Sequence, residues 1–384
     1  MTYSSFIVKA PGKLMIAGEY AVLEPKQKAV VTAINRYITA EIEPCSHNRL
    51  SLPHYELDNI TWENTESSVQ FNVHDSRLKF IQNSISVVTR FLQENKTPIK
   101  PFHLTVKSEL DDPALGIKYG LGSSAAIVAA VISAILIFHR KKNEPIILEQ
   151  LFKLSVIAHI MTQKNGSGAD IAAAVFGGWL AYSAFNQEWL LNRLKQKENL
   201  NELIIRPWPD LSITPIKKPE NITFCAGWTK EPASTAPMVK KIQEFSNENP
   251  QDFMRFLDES KKAVEQLIKS FAGNDVEMAI ASLAKNQHAL TVLGEKSGAD
   301  IETTKLKDLC SIAERFGGGK SSGAGGGDCG IAFLRNGREI EKLYQEWKEK
   351  GIEPLELTIS QTGVEVAEYT CAPSIEEYLK RKTF

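Results

Sequence analysis

Eight of the chain's 24 glycines fall within fourteen residues, 317 to 330, which read GGGKSSGAGGGDCG. The stretch carries no apolar periodicity, so it reads as neither an ordinary strand nor a helix. It lies between a helix-like segment, IETTKLKDLCSIAERF (301 to 316), and a strand-like one, GIAFLR (330 to 335). A floppy linker buried between two regular elements is a poor solution. Glycine permits positive φ and lets backbone approach a ligand closely. Consecutive N–H groups can then converge on an anion.

Two further Gly/Ser turns occur, GLGSSAA (120 to 126) and NGSGAD (165 to 170). GLGSSA superficially matches the dinucleotide fingerprint. However, no acidic residue follows until Glu144, and a long apolar helix replaces the expected second strand. Gly319-Lys320-Ser321 offers the end of a P-loop, but Glu314 stands where its first glycine belongs. What is left is general: a glycine turn opening a helix, whose free N–H groups and dipole favour phosphate. Ser123 or Ser124 can cap that helix, or touch a phosphate or its Mg²⁺. On this motif alone both readings stand.

Composition narrows the partners. Lys plus Arg (45) against Asp plus Glu (46) gives a net charge of −1, so no global field draws nucleic acid or an anionic membrane. Anion binding must therefore be local. Cys45, Cys225, Cys310, Cys329 and Cys371 form no CxxC or Cys/His cluster, which argues against structural zinc and fits a reducing compartment. MTYSSFIVKAPGK lacks a signal peptide's apolar core, and the longest apolar run, AAIVAAVISAILIF (125 to 138), suits a buried helix better than a membrane span. A cytoplasmic protein is expected.

Strands are expected at 6 to 10, 29 to 42 (one or two), 102 to 110, after Gly177, at 224 to 229, and at ELTIS and GVEVAEY near the end. Residues 45 to 78 suggest a hairpin or a flap. Helices are expected at 81 to 92, 120 to 139, about 147 to 161, 250 to 272 and 276 to 293. Strands and helices mix without strict alternation, which indicates α+β, not a Rossmann sheet. The proline-rich text at 206 to 220 marks a boundary between domains 1–205 and 206–384.

KAPGKLMIAGEYAVL (9 to 23), GLGSSAA, NGSGADIAAAVFGG (165 to 178) and SSGAGGGDCG (321 to 330) resemble the GHMP kinases, in family order and across nearly the whole chain. GEYAVL, KYGLGSSAA, AGWTKEPASTAPMV and KSSGAGGGDCG are most similar to the phosphomevalonate kinase branch. The resemblance implies a ribosomal-protein-like N-terminal domain, a ferredoxin-like C-terminal domain and an active site in the cleft between them. It implies ATP and Mg²⁺ as cofactors and 5-phosphomevalonate as acceptor. Mevalonate kinases carry a Mg²⁺-binding Glu where this chain has His159.

By this resemblance Gly120, Leu121, Gly122, Ser123, Ser124 and Ala125 bind the ATP phosphates, with Ser124 on Mg²⁺. Lys13 and Asp170 are the catalytic pair: Lys13 stabilises charge on the transferred group, and Asp170 deprotonates or positions the acceptor. Without the motifs, Asp170 would read as a helix cap and Lys13 as surface decoration. Glu19 and Tyr20 line the acceptor side. Ser322, Gly323, Ala324 and Gly325 present N–H groups there, and Asp328 orients their loop. Lys118, Ser167, Ser234 and Lys320 are candidates for the acceptor's own phosphate, with Arg36 and Arg206 behind them, and Gly168 is placed among the substrate-binding residues. Trp208 and Trp228 read as core. The alternatives are mevalonate kinase, another small-molecule kinase of the family, or a silent ligand sensor on the same fold. A monomer or homodimer is expected.

Overall fold

The computed structural model describes residues 4–65, 68–112, 115–140, 145–233 and 235–370. The first strands are β1 (Ser4–Ala17), β2 (Lys28–Pro44), β3 (Arg49–Leu52), β4 (Leu57–Asn64), β5 (Val69–Phe71), β6 (Phe102–Ser108), β7 (Trp179–Ser183) and β8 (Ser212–Ile216). A second group follows: β9 (Thr223–Trp228), β10 (Gly317–Ser321), β11 (Cys329–Leu334) and β12 (Glu353–Leu355). The chain closes with β13 (Glu365–Thr370).

The larger sheet runs β13-β1-β2-β6-β3-β4-β5, with β7 on β2 and β8 on β7. The smaller runs β10-β11-β9-β12 and is antiparallel throughout. The α+β expectation holds. The strand β8 lies after residue 206 yet pairs with β7, and β13 returns to β1, so the N-terminal sheet draws on late sequence.

Four helices cover the larger sheet: α1 (Lys79–Glu94), α2 (Ser123–His139), α3 (Leu148–Gln163) and α4 (Ala169–Phe176). The helix α2 packs on β1 and β2 with α1, α3 and α4 around it, which explains why its sequence is apolar on nearly every side. No helix among the described residues is long and apolar enough to cross a membrane. After two short helices, α5 (Gln187–Lys195) and α6 (Leu200–Ile205), come α7 (Thr235–Glu248), α8 (Pro250–Ala272), α9 (Val276–Ser297), α10 (Thr304–Glu314) and α11 (Ile340–Glu349). The helices α9 and α10 lie against β10.

Residues 29 to 42 fall in a single strand, β2. Within 45 to 78, β3 and β4 make the expected hairpin. ELTIS contributes only an isolated bridge, Ile34 to Ile359. The glycine-rich stretch needs a larger correction. Its first five residues are the strand β10, paired with β11 from Gly317–Leu334 to Ser321–Gly330. The strand is glycine because it is crowded. A Cβ on Gly317 would lie 2.0 Å from the Phe333 carbonyl oxygen, and one on Gly319 2.6 Å from the Ala313 Cβ.

Aromatic packing joins the two sheets. The Trp179 ring on β7 lies 5.6 Å from Phe224 on β9, 5.4 Å from Phe271 on α8 and 6.1 Å from Phe333 on β11, centroid to centroid. Replacing it removes a large buried side chain and leaves a cavity. Trp179→Ala should lower stability by about 3–5 kcal/mol, read as a shifted denaturant midpoint at unchanged slope. A shift near zero would show that the sheets do not depend on this cluster.

Candidate active site

The helix α2 begins at a glycine cap. Gly122 is its N-cap at φ 80°, and no side chain caps the helix. Ser123 and Ser124 are already helical, so the capping reading of the two serines fails. The first-turn N–H groups therefore lack a side-chain partner and face outward with the positive end of the helix. This is an anion site built from backbone.

Lys13 reaches it from β1. Its backbone N–H donates to the Leu121 carbonyl at 2.8 Å, tying the KAPGK strand to the glycine turn. Its side chain runs along Gly122, where a Cβ would meet Lys13 Cγ at 2.9 Å. Gly120 sits at φ 79°, and a Cβ there would lie 2.4 Å from the Asp328 side chain. The first and third glycine motifs thus touch through Asp328. Burial raises the Asp328 carboxyl above its ordinary value, while the Ala233 N–H, Lys13 and Lys118 pull it back. Its Oδ1 accepts that N–H at 3.2 Å, and its own N–H donates to the Glu231 carbonyl at 2.7 Å. The expected loop-orienting role of Asp328 has these bonds behind it.

Asp170 is the second residue of α4, whose N-cap is Gly168 at φ 81°. It is not the cap, so its carboxylate is not consumed by the helix start, although Oδ1 accepts the Ile171 N–H at 3.0 Å. Ser167 and Gly168 support it from behind. The Tyr182 hydroxyl donates to the Ser167 carbonyl at 2.5 Å, and a Cβ on Gly168 would lie 2.9 Å from that hydroxyl. His159, on α3 and only 4% exposed, lies beside the start of α2. Its Nε2 is 3.3 Å from Ser124 Oγ. Burial lowers its pKa, and the Asp170 charge offsets part of that. One imidazole therefore touches the helix start of the first glycine motif and feels the charge of Asp170.

On the other side the GEY turn meets the third motif. The Lys320 ammonium and the Glu19 carboxylate form a buried ion pair at 2.5 Å, with side chains 0% and 2% exposed. Glu19 Oε1 also accepts the Gly323 N–H at 3.4 Å, while Glu19 Oε2 is buried with no partner. The Tyr20 hydroxyl donates to the Ala324 carbonyl at 2.5 Å. Burial and Glu19 push that phenol well above its ordinary range, so it stays a donor.

Three expectations change here. Lys320 is not an anion contact, because Glu19 and the Ser321 carbonyl hold its ammonium in the interior. Ser322 does not offer its N–H to a ligand: that group donates to the Cys329 carbonyl at 2.9 Å, and its hydroxyl donates to the Met15 carbonyl at 2.9 Å. Tyr20 spends its hydroxyl on shaping the loop. Gly323 and Ala324 remain at the half-buried turn of that loop, Gly325 is buried against Ile301, Lys118 is exposed beside the first motif, and Ser234 lies outside the described residues.

Sequence reasoning passed over Asn286 and Gln287, buried on α9 behind both loops. Two adjacent amides, between Lys285 and His288 in the run LAKNQHAL, gave no signal that they would be buried. Trp208 and Trp228 are core, as expected.

Comparisons with known proteins agree with this geometry. The model for the GHMP kinases N terminal domain matches residues 82–178, and that for the GHMP kinases C terminal matches 260–353. A phosphomevalonate kinase of Streptomyces sp. (strain CL190) is 31% identical over 373 residues, covering 92% of this chain and 97% of that protein. A crystal structure of the Lin0012 protein from Listeria innocua superposes with a TM-score of 0.88 at 39% identity, over 94% of this chain and 99% of that one. The Streptococcus pneumoniae phosphomevalonate kinase, solved in complex with phosphomevalonate and AMPPNP, gives a TM-score of 0.79 at 30% identity over 92% and 99%. Both domains of one family in their usual order, and a relative this similar along nearly its whole length, place the chain in the GHMP kinase family.

Proposed function

We propose that the chain transfers the γ-phosphoryl group of ATP to 5-phosphomevalonate, giving 5-diphosphomevalonate and ADP. The observation that supports this reading is the uncapped start of α2, with Lys13 laid along it and His159, whose ring feels the Asp170 charge, 3.3 Å from Ser124 Oγ. Phosphoryl transfer needs those parts: donors for the phosphates, a cation for developing charge and a carboxylate to orient the acceptor. The pneumococcal relative was solved with phosphomevalonate and AMPPNP together, which supports the same pair of ligands here.

Gly120 to Ala125 would cradle the ATP phosphates. Among the described residues no group of three or more His, Cys, Asp or Glu side chains could hold a metal. The donors near α2 are the Ser124 hydroxyl and the Asp170 carboxylate. Such a sparse set fits Mg²⁺, which keeps several waters and binds mainly through substrate phosphates. Bound with ATP, that ion would neutralise the phosphate oxygens. Lys13 would screen the two anions as they approach.

The acceptor's chemistry assigns Asp170 its task. A phosphate monoester has a second pKa of about 6, so its oxygen is already ionised at neutral pH. Asp170 then does not need to remove a proton from that oxygen, and as a carboxylate it would orient the acceptor by accepting from the acceptor's hydroxyl. The unpartnered Glu19 Oε2 would accept a hydroxyl of the acceptor.

ADP release from MgATP should be far faster with 5-phosphomevalonate than with mevalonate or galactose. A preference for mevalonate would overturn the acceptor assignment. Lys13→Met and Asp170→Asn should each lower kcat by ~10²-fold or more, through lost charge stabilisation and lost orientation. The rise of kcat/KM with pH around 6 should survive in Asp170→Asn, because the ionising group is the substrate's. Loss of that rise in the variant would show that Asp170 is a base after all.

A further inference from the structure

Two consecutive side chains of α9 reach both loops of the acceptor side from behind. Gln287 is buried, and its Oε1 accepts the Ser321 N–H at 2.9 Å and the Ser321 hydroxyl at 3.4 Å. Its Nε2 donates to Glu302 Oε1 at 2.5 Å. The neighbouring Asn286 accepts the Gly18 N–H at 3.4 Å through Oδ1 and donates to Ser260 Oγ at 3.4 Å. Neither amide touches the groups assigned to chemistry. Each meets the root of a loop that does: Ser321 ends β10 where the 322–325 turn begins, and Gly18 precedes Glu19 and Tyr20.

The residues flanking Ser321 are fixed to the other loop and to the strand that leads into it. Lys320 pairs with Glu19, and Ser322 donates to the Met15 carbonyl. Ser321 itself is fixed to α9. Gln287 suits this position because an amide carries an acceptor and a donor on one rigid plane. With Nε2 committed to Glu302, Oε1 has a single orientation to offer Ser321. A carboxylate would accept from Ser321 but repel Glu302, and an aliphatic side chain would do neither.

We propose that Gln287, oriented by Glu302, is a positioning residue that sets the 321–325 loop at the acceptor side, with Asn286 doing the same for the Gly18–Tyr20 turn. The inference rests on the acceptor-side reading given above. It assigns to α9 a part in acceptor binding that leaves the ATP side, built on α2, untouched. The acceptor and ATP should therefore respond separately.

The test compares Gln287→Leu, Gln287→Glu and the double variant Q287E/E302Q by steady-state kinetics and by hydrogen exchange of the peptide covering 317–330. Gln287→Leu should lower kcat/KM for 5-phosphomevalonate by about tenfold or more, with KM for ATP unchanged. Its 317–330 peptide should exchange faster. Gln287→Glu should show the same losses, and adding E302Q should restore both, because the new amide at 302 can donate to the new carboxylate at 287. If Gln287→Leu does not fold, the glutamate variant and its rescue carry the test. Equal losses toward ATP and acceptor, no rescue by E302Q, or unchanged exchange would each overturn the proposal. The exchange measurement needs no substrate, so it decides the role of Gln287 even if wild-type enzyme prefers another acceptor.

Discussion

The ion pair between Lys320 and Glu19 is the constraint from which the acceptor side is built. Neither charge could stay in that interior alone, since an unpaired buried ion costs several kcal/mol. The pair therefore forces the end of β10 against the turn that follows β1. Once those are joined, Gly323 comes within reach of Glu19, Tyr20 reaches the Ala324 carbonyl and Ser322 reaches Met15. The glycine loop has its shape before any ligand arrives. One oxygen of Glu19 is left buried without a partner, which is why the proposed function gives it a hydroxyl of the acceptor.

The ATP side rests on a different device. Both helices that point into the site, α2 and α4, start at glycine caps in the left-handed region. Ser, Thr, Asn or Asp at those caps would satisfy first-turn N–H groups internally. At α2 glycine leaves them without a side-chain partner, whereas at α4 Ser167 Oγ and Asp170 Oδ1 accept the Ala169 and Ile171 N–H groups. Lys13 adds a positive charge along the same line, and His159 meets Ser124 of the first turn. Preset donors in fixed positions are what phosphoryl transfer uses, because they need no rearrangement as charge develops. The two sides meet where Asp328 of the third motif packs on Gly120 of the first.

Much of this was legible in the residues because local pattern and global role coincide. The apolar wrap of α2 announces a buried helix, and the β-branched run of β2 announces a long strand. The three glycine motifs could be found by composition alone, and the family resemblance supplied their order and roles. What escaped was set by partners distant in sequence. Nothing near Gly317 says that β11 will lie close enough to demand glycine, so β10 was read as loop. Lys320 looks like a ligand-binding lysine until Glu19, some three hundred residues away, claims it. Ser322 and Gln287 were misjudged or missed for the same reason. Their bonds run to Met15 and Ser321, pairings that only the folded chain creates.

The proposed function requires the site to take a phosphorylated acceptor. Calorimetric titration of the wild-type protein with 5-phosphomevalonate and with mevalonate, each in the presence of AMPPNP and Mg²⁺, tests it most directly. The account predicts that the phosphorylated acceptor binds at least about tenfold more tightly, a difference of about 1.4 kcal/mol. Equal affinities, or tighter binding of mevalonate, would contradict it.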